Sequence, residues 1–361
     1  MIAATIAVAL SGGVDSLVAA ALLKKRYERV IGLHFSTGFE TPGMTETVVA
    51  HLRSTLGIEI VPVDLQEVFR RHVVDYFIRT YLVGKTPNPC LVCNASIKYG
   101  FLLAEAGKHG ASLLATGHYA RLGRDAAGHV HLQKGKDRKK DQSYFLSRIP
   151  KACLEKALFP LGNLTKQQVR KLALLYGLTP FHHAESQDVC FIRGMSYEAF
   201  LSRQTGMEPA SGEIWDGSGK HIGTHDGLWK YTIGQRKGIR CPAAEPYYVL
   251  RLDPANNRII VGRKAELLVS GCTVQDINWI EPHPDTPRWI SVKLRYRHEA
   301  IDALLIPDGI TCCTLRFRHP HPAVTPGQGA VFYEDDRVLG GGWIDEAMPM
   351  PDHGALRNPP L

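Results

Sequence analysis

The segment at residues 11–16, with the sequence SGGVDS, constrains the fold most because it links an apolar run to a helical stretch. The run at 6–10 is short and continuously apolar, which is typical of a buried parallel strand. The stretch at 15–26 has helical spacing. Glycines in such a turn let backbone N–H groups approach an anion closely, and the helix dipole adds positive potential. The segment therefore predicts a phosphate-binding loop, with Asp15 placed to face Mg²⁺.

Apolar runs continue to alternate with helical stretches through the first half of the chain. The predicted strands lie at 6–10, 30–35, 59–63 and 113–115, and the predicted helices at 15–26, 45–56, 68–82 and 94–109. Strands that alternate with helices indicate a parallel α/β sheet. Ligands of such sheets bind at the carboxyl ends of the strands, which is where the SGGVDS loop begins.

The pattern changes near residue 205. A glycine-dense stretch follows at 206–238, and from residue 247 onward short β-rich runs alternate with turn signals. We therefore predict three units. They are an α/β parallel-sheet domain at 1–205, a small β-rich central domain at 206–273 and a C-terminal antiparallel β-barrel at 274–361, whose last residues, 354–361, form a loose tail.

Charge is distributed unevenly along the chain. The 43 Lys and Arg residues against 35 Asp and Glu give a formal net charge of +8. Residues 274–361 contain eight basic and twelve acidic side chains, whereas residues 121–151 contain nine basic and three acidic ones. A local basic surplus of this kind favours a nucleic-acid partner.

The remaining composition excludes several classes of protein. Apolar residues make up 44% of the chain and charged residues 22%, which excludes a disordered or coiled-coil chain. Eight cysteines are too few for a disulfide scaffold of this length. The sequence shows no signal peptide and no apolar stretch of about 18 residues, so we expect a cytoplasmic protein without a membrane partner.

Three of the eight cysteines stand in marked contexts. Cys90 and Cys93 form a C-x-x-C in the sequence TPNPCLVCN (86–94), and Cys190 lies in SQDVCFI (186–192). We expect Asn94 to cap a helix and Cys93 to lie near its positive end, which would lower the pKa of the thiol. The pattern fits a redox pair, half a zinc site or a three-cysteine cluster. The other cysteines are interpreted as packing residues: Cys153, Cys241, Cys272, Cys312 and Cys313.

The SGGVDS loop resembles that of the PP-loop ATP pyrophosphatase superfamily, whose members split ATP between the α- and β-phosphates and adenylate a substrate oxygen. Further motifs narrow the resemblance. In chain order they are TPNPCLVCN (86–94), GHY (117–119), KDQSYFL (140–146), SQDVCFI (186–192), TIGQRKG (232–238), TPGQ (325–328) and LGGG (339–342). This set resembles the bacterial tRNA-specific 2-thiouridylases over essentially the whole chain.

That resemblance implies an ATP-dependent reaction on tRNA. ATP adenylates O2 of the wobble uridine, position 34, of tRNAs for glutamate, lysine and glutamine, and sulfur then replaces AMP to give 2-thiouridine. Cys93 matches the family nucleophile. Cys190 matches the cysteine that carries a persulfide, which a cysteine desulfurase or a relay protein supplies. The two cysteines end as a disulfide that a reductant resets.

The resemblance also assigns binding residues. The matches to ATP-binding positions are Ala9, Leu10, Ser11, Gly12, Gly13, Val14, Asp15, Ser16, Phe35 and Gly117. The matches to tRNA-contacting positions are Asn88, Pro89, Cys90, His118, Lys140, Asp141, Gln142, Arg295, Tyr296 and Gln328. Lysines and arginines around residues 134–140 would form a track for phosphates.

Cys90 departs from the family pattern, which has an aspartate there that is assigned as the general base. The substitution leaves that role in doubt and adds a third cysteine. Three cysteines are the ligand count of a [4Fe–4S] cluster with one open iron, so Cys90, Cys93 and Cys190 are candidate cluster ligands. The sequence leaves this route open beside the persulfide route. Two other functions are alternatives: a PP-loop ligase that adenylates a small molecule, and a non-enzymatic RNA-binding protein.

Overall fold

The computed structural model describes residues 2–182, 189–192, 194–322 and 324–350. Three residues of the second cysteine motif, Ser186, Gln187 and Asp188, lie outside this part of the chain, as does the tail predicted at 354–361. Among the described residues, no helix has both the length and the apolar character that crossing a bilayer requires.

A parallel sheet forms the centre of the N-terminal unit, as predicted. The strands of this unit are β1 (Ile2–Ala9), β2 (Tyr27–Ser36), β3 (Glu59–Asp64), β4 (Leu113–Ala115), β5 (Ala120–Arg124), β6 (Val130–Lys134) and β7 (Ala157–Leu158). Five of them pair in the order β3-β2-β1-β4-β7. The apolar half of β1 pairs with both β2 and β4 and is fully buried, because helices cover both faces of the sheet.

Nine α-helices lie in the described part of the N-terminal unit. They are α1 (Val14–Lys24), α2 (Met44–Leu56), α3 (Gln66–Phe69), α4 (Asp75–Leu82), α5 (Pro89–Val92), α6 (Leu103–Lys108), α7 (Lys151–Leu154), α8 (Lys166–Leu175) and α9 (Tyr197–Thr205). A π-helical stretch, Arg70–Val74, joins α3 to α4, and a second, Cys93–Leu102, joins α5 to α6. Two long continuous helices result, and the second one carries Cys90 and Cys93.

The helix with the two cysteines begins earlier than predicted. Its first residue is Pro89, whose fixed φ and missing N–H suit that position, so Asn88 occupies the N-cap. The prediction that Asn94 caps the helix is therefore wrong. Asn94 lies in the second turn, where its side-chain amide donates a hydrogen bond to the Phe145 carbonyl at 3.2 Å.

The central unit is small and mostly antiparallel. Its strands are β8 (Gly212–Asp216), β9 (His221–His225), β10 (Tyr248–Asp253) and β11 (Arg258–Gly262), in the order β10-β11-β8-β9. A separate small core lies beneath them, with Ile214, Val249 and Ile259 fully or almost fully buried.

The C-terminal unit is a closed antiparallel barrel, as predicted. Its six strands are β12 (Leu268–Trp279), β13 (Arg288–Lys293), β14 (Ile301–Pro307), β15 (Cys313–Pro322), β16 (Gly329–Glu334) and β17 (Arg337–Pro349). They follow the order β12-β15-β14-β13-β16-β17, and pairing between β12 and β17 closes the ring. The position 273/274, at which the sequence analysis divides the central unit from the barrel, lies inside β12.

The hairpin of β5 and β6 attaches the barrel to the N-terminal unit, and the sequence analysis does not predict it. Arg337 of β17 pairs with Gln133 of β6, so the hairpin extends the barrel sheet outward. One apolar core runs through this junction and includes Leu132, Val331 and Tyr333. The hairpin thereby places the loop that follows it between the barrel and the SGGVDS loop.

Candidate active site

The SGGVDS loop connects β1 to α1 at the carboxyl edge of the parallel sheet. Gly12 has φ +82°, a left-handed conformation that glycine adopts without strain. The Ser16 hydroxyl donates a hydrogen bond to the Gly13 carbonyl at 2.8 Å, and Leu17 N–H reaches the same carbonyl at 3.2 Å. These bonds start α1 directly at the glycines, so the first amides of the helix remain available to an anion.

Asp15 holds two partners from outside the loop. Its carboxylate accepts hydrogen bonds from the Lys166 ammonium at 2.7 and 2.8 Å and from the Tyr119 hydroxyl at 2.7 Å. The sequence analysis overlooked both partners. A capping box at Thr165 and Gln168 marks the start of α8 and places Lys166 at its first residue, and this is the signal in the sequence that could have directed attention to it.

Two further residues expected at the ATP site lie at the same edge of the sheet. Phe35 is the penultimate residue of β2, and Gly117 follows β4 by two residues. A Cβ atom on Gly117 would lie 2.9 Å from the Asp15 carbonyl carbon and 3.0 Å from the Ser16 nitrogen. Since real Cβ atoms keep a larger distance, only glycine lets the chain after β4 approach the loop this closely.

Burial dominates the chemistry of the C-x-x-C thiols. Burial raises the pKa of Cys93 to about 12, Lys98 opposes that rise, and the nearby thiols of Cys190 and Cys90 add to it. Protein atoms also surround the Cys90 thiol, although part of the residue is exposed to solvent, and they raise its pKa to about 11. The prediction that the helix field lowers the pKa of Cys93 is wrong, because desolvation outweighs the dipole.

Cys190 lies in the same electrostatic neighbourhood as the other two thiols. Ionisation of Cys190 disfavours ionisation of both Cys90 and Cys93, which requires that the three sulfurs be close together. Its neighbour Phe191 packs against Phe77 and Phe200, with ring centroids 5.3 and 5.4 Å apart. This aromatic anchor fixes the exposed Cys190 beside the helix that carries Cys93.

The three thiols nevertheless do not form a metal site. Among the described residues, no group of three or more His, Cys, Asp or Glu side chains is arranged to hold a metal ion. The described geometry therefore gives no support for a [4Fe–4S] cluster on these cysteines.

The segment before the C-x-x-C is fixed by the barrel. The Gln328 amide donates hydrogen bonds to the carbonyls of Thr86 and Pro87 at 3.1 and 3.0 Å. The Asn88 amide in turn lies 3.5 Å from the Gln328 side-chain oxygen. The resemblance assigns tRNA contact to Asn88, Pro89 and Gln328, which are far apart in the sequence. The structure brings them together where the barrel meets the segment before the C-x-x-C, a junction that we call the seam.

Arg295 and Tyr296 lie along the same seam. The Arg295 guanidinium donates to the Thr325 hydroxyl and, at 3.3 Å, to the Ile233 carbonyl of the central unit. Its buried Nε has no hydrogen-bond partner among the residues that the structure describes, and burial lowers the pKa of the side chain. The Tyr296 ring lies 4.3 Å from that of Phe145. All three structural units therefore meet next to the C-x-x-C helix.

The loop at 140–142 is held tightly. The buried Asp141 carboxylate accepts from the Gly135 amide at 2.8 Å and from the Ser143 hydroxyl at 2.9 Å. The side-chain oxygen of Gln142 accepts from the Tyr119 amide at 2.9 Å. Lys140 N–H donates to the Asp137 carbonyl at 3.0 Å. The side chains of Asp141 and Gln142 therefore stabilise the conformation of this loop, in addition to any contact with a ligand.

His118 is a buried neutral imidazole. It lies 2.7 Å from the Thr116 hydroxyl through Nδ1. Burial holds its pKa well below the usual value, and the charge of Lys98 lowers it further. Lys98 thus acts on His118 and on both C-x-x-C thiols, and Gly117 joins His118 to the SGGVDS loop. The thiols and the phosphate loop belong to one continuous site.

The basic stretch at 121–151 is partly neutralised by the barrel. Arg121 and Arg138 both pair with Asp336, at 2.7 and 2.6 Å, and Arg148 pairs with Asp276 at 2.5 Å. Exposed cations remain at Lys136 and Lys139. The excess positive charge of residues 121–151 is therefore smaller in the folded protein than the sequence indicates.

Comparison with known proteins agrees with this arrangement. Three family models match in succession: tRNA methyl transferase HUP domain at residues 4–194, tRNA methyl transferase PRC-barrel domain at 198–263, and Aminomethyltransferase beta-barrel domain at 269–344. Fold and loop together define a PP-loop nucleotide-binding enzyme with two appended β domains.

Curated relatives specify the family. A tRNA-specific 2-thiouridylase MnmA from Desulfosudis oleivorans is 47% identical over 339 residues, which cover 94% of each chain. Proteins of the same name from Geotalea uraniireducens and Geobacter metallireducens are 42% and 40% identical, and the matches cover 95% of this chain. The chain belongs to the tRNA-specific 2-thiouridylase family, which confirms the resemblance stated from its motifs.

Replacement of Gly117 by alanine should weaken ATP binding by at least about tenfold while the protein remains folded. The added Cβ would collide with Asp15 and Ser16, so the loop must shift away from β4. Isothermal titration with ATP measures the loss, and far-UV circular dichroism checks the fold. Gly107→Ala is the matched control, because a Cβ there meets no atom within 4 Å. Equal ATP affinity in the wild-type protein and Gly117→Ala would contradict this role.

Alkylation of Cys93 should accelerate about tenfold per pH unit from pH 7 to 9 without levelling off, because only the thiolate reacts and its pKa is raised to about 12. Iodoacetamide labelling followed by peptide mass spectrometry measures the rate. Free N-acetylcysteine in the same buffers is the reference. A plateau at Cys93 below pH 9 would show that the helix field, and not burial, controls the thiol.

Proposed function

We propose that this chain is an ATP-dependent tRNA sulfurtransferase that converts the wobble uridine, position 34, to 2-thiouridine. Family membership carries the reaction class, with tRNA as substrate and ATP as co-substrate. One observation supports the sulfur chemistry most directly: Cys93 and Cys190 act on each other electrostatically within the site that holds the SGGVDS loop. Two thiols beside a phosphate loop suit activation of an oxygen followed by its replacement with sulfur.

The first step activates uridine. O2 attacks the α-phosphorus of ATP, the bond from that phosphorus to the bridging oxygen breaks, and pyrophosphate leaves with the electron pair, while the N3 proton passes to solvent. The loop from Ala9 to Ser16 binds the phosphates, and Phe35 faces the adenine. Asp15, a hard oxygen donor beside the loop, would hold Mg²⁺, which would neutralise charge on the pyrophosphate.

The second step transfers sulfur. The terminal sulfur of a persulfide on Cys190 attacks C2, and AMP leaves together with O2. The Cys93 thiolate then attacks Sγ of Cys190, so the S–S bond breaks, its electron pair stays on the sulfur at C2, and a Cys93–Cys190 disulfide forms. A thiol reductant returns both cysteines to thiols.

Cys90 is unsuited to the role of general base. With a pKa of about 11, on the order of one in 10⁴ molecules carries its thiolate at pH 7. The alternative in which Cys90, Cys93 and Cys190 hold an iron–sulfur cluster finds no support in the described geometry. The persulfide route needs no cluster, so we assign no metal to these cysteines.

The remaining assignments follow from the resemblance. We propose that the tRNAs are those for glutamate, lysine and glutamine, that a cysteine desulfurase or a relay protein supplies the persulfide, and that the protein acts in the cytoplasm. A small-molecule ligase is the second candidate. The clustering of Cys90, Cys93 and Cys190 beside the phosphate loop disfavours it, because such a ligase has no use for them.

Cys190→Ser should abolish 2-thiouridine formation and leave tRNA-dependent pyrophosphate release within about threefold of wild type, because adenylation precedes sulfur transfer. Cys93→Ser should accumulate tRNA bound covalently to Cys190, releasable by dithiothreitol, because nothing resolves the adduct. Nucleoside chromatography, a pyrophosphate assay and denaturing gels provide the readouts.

Cys312→Ser, in the barrel, is the matched control for both variants and should behave as wild type. Loss of pyrophosphate release with Cys190→Ser would overturn the order of steps. Turnover without tRNA in both variants would favour the small-molecule ligase. Iron measured on anaerobically purified protein should be far below one equivalent, and iron that disappears with Cys90→Ala would establish the cluster route instead.

Binding of tRNA should weaken steeply with salt, and Lys136→Ala with Lys139→Ala should reduce the slope of log Kd against log salt by about 1.5. Each phosphate contact contributes roughly 0.7 to 0.9 to that slope. Filter binding from 50 to 300 mM KCl measures it. Lys25→Ala, at the end of α1 far from the loop, is the control. An unchanged slope in the double variant would remove this loop from the tRNA footprint.

A further inference from the structure

A partly buried ion pair lies directly in the phosphate loop, between the buried Lys166 and the half-buried Asp15. Lys166 is only 8% exposed, yet both Asp15 carboxylate oxygens accept hydrogen bonds from its ammonium, at 2.8 and 2.7 Å. The Tyr119 hydroxyl donates to the same carboxylate at 2.7 Å. Thus the acidic residue of SGGVDS and a lysine 151 positions later in the chain meet where the triphosphate binds.

Rigid elements place the lysine there. Thr165 and Gln168 form a reciprocal capping box that starts α8 at Lys166. The Lys166 amide donates to the Asp137 carboxylate at 2.9 Å. Helix α8 packs on α1 through Val169 and Ala173. Because α1 begins in the SGGVDS loop, this packing fixes the position of the Lys166 ammonium relative to the backbone amides of the loop.

Stability alone does not account for this pair. Burying the Lys166 charge is expensive, and the remaining exposure of Asp15 to water weakens the attraction that repays this cost. The location points to a ligand instead, because the loop amides and the N-terminus of α1 create positive potential for an anion. A lysine there adds to that potential, whereas the aspartate beside it opposes phosphate until a cation neutralises it.

We propose that Lys166 is a catalytic residue that exchanges Asp15 for the phosphates of ATP and stabilises the departing pyrophosphate. This role rests on the ATP use assigned under the proposed function. In the resting protein the ammonium neutralises Asp15. When ATP binds, the ammonium turns to the phosphate oxygens, and the released Asp15 carboxylate would be free to hold the divalent cation that accompanies ATP. As the α-phosphorus–oxygen bond breaks, the electron pair moves to the β-phosphate oxygen, whose charge Lys166 balances without any proton transfer.

Opposite effects on Mg²⁺-free ATP binding test this exchange. Measured by isothermal titration in EDTA without tRNA, Lys166→Met should weaken ATP and inorganic pyrophosphate binding about tenfold or more. Asp15→Asn should strengthen it several-fold, because the competing carboxylate is gone and Lys166 is released. Lys166→Met should also lower kcat for tRNA-dependent pyrophosphate release on the order of 10²-fold, the size typical of one lost donor to a developing anion, and Lys166→Arg should recover part of it.

Lys171→Met, an exposed lysine on the same helix, is the matched control and should bind and turn over as wild type. If the pair is only structural, Asp15→Asn with Lys166→Met should restore both melting temperature and kcat, and that result would overturn the proposal. Unchanged Mg²⁺-free ATP affinity in Lys166→Met would overturn it equally. These binding measurements need neither tRNA nor sulfur donor, so they stand even if the sulfur-transfer assays fail.

Discussion

The contact of Gly117 with Asp15 and Ser16 is the constraint on which the site depends. It brings the end of β4 against the loop after β1, with 2.9 Å left for a Cβ that glycine lacks. His118 follows directly and lies beside Lys98, which in turn acts on the thiols of Cys90 and Cys93. One close backbone approach therefore couples the SGGVDS loop, which we propose binds phosphate, to the thiols that we propose handle sulfur. A looser packing there would separate activation of the base from the nucleophile that must follow.

The barrel contributes to this chemistry by fixing the start of the cysteine helix. Gln328 bonds to the carbonyls of Thr86 and Pro87, and Thr86 N–H bonds back to the Pro326 carbonyl at 2.9 Å. Without these bonds the carbonyls just before Pro89 would need water. This explains physically why a TPGQ motif in a distant β domain accompanies a C-x-x-C in an α/β domain. The barrel thus fixes where the cysteine helix begins, and this in turn fixes the position of Cys93.

Much of the fold could be predicted because its signals are local. The buried apolar half of β1 and the glycines after it specify a strand, a turn and a helix within a few residues. The hairpin of β5 and β6 could not be predicted, because its partner strand β17 lies some 200 positions away. The pairing of Asp15 with Lys166 could not be predicted for the same reason, since 151 positions separate the two residues. The pKa of Cys93 was misjudged for another reason: a helix field can be inferred from sequence, but desolvation depends on how many atoms surround the thiol.

Raised thiol pKa values have a consequence for selectivity. The thiolate is the nucleophile, and with a pKa of about 12 Cys93 is ionised in only about one molecule in 10⁵ at pH 7. In the proposed reaction, resting Cys93 would therefore be a poor nucleophile toward activated uridine, and its attack before sulfur delivery would be slow. A persulfide on Cys190 is a more acidic sulfur and ionises where the thiols do not. In the proposed order of steps, burial of the thiols thus favours reaction of the Cys190 persulfide before Cys93. The charge of Lys98, which lowers the pKa of Cys93, would assist the later attack by Cys93.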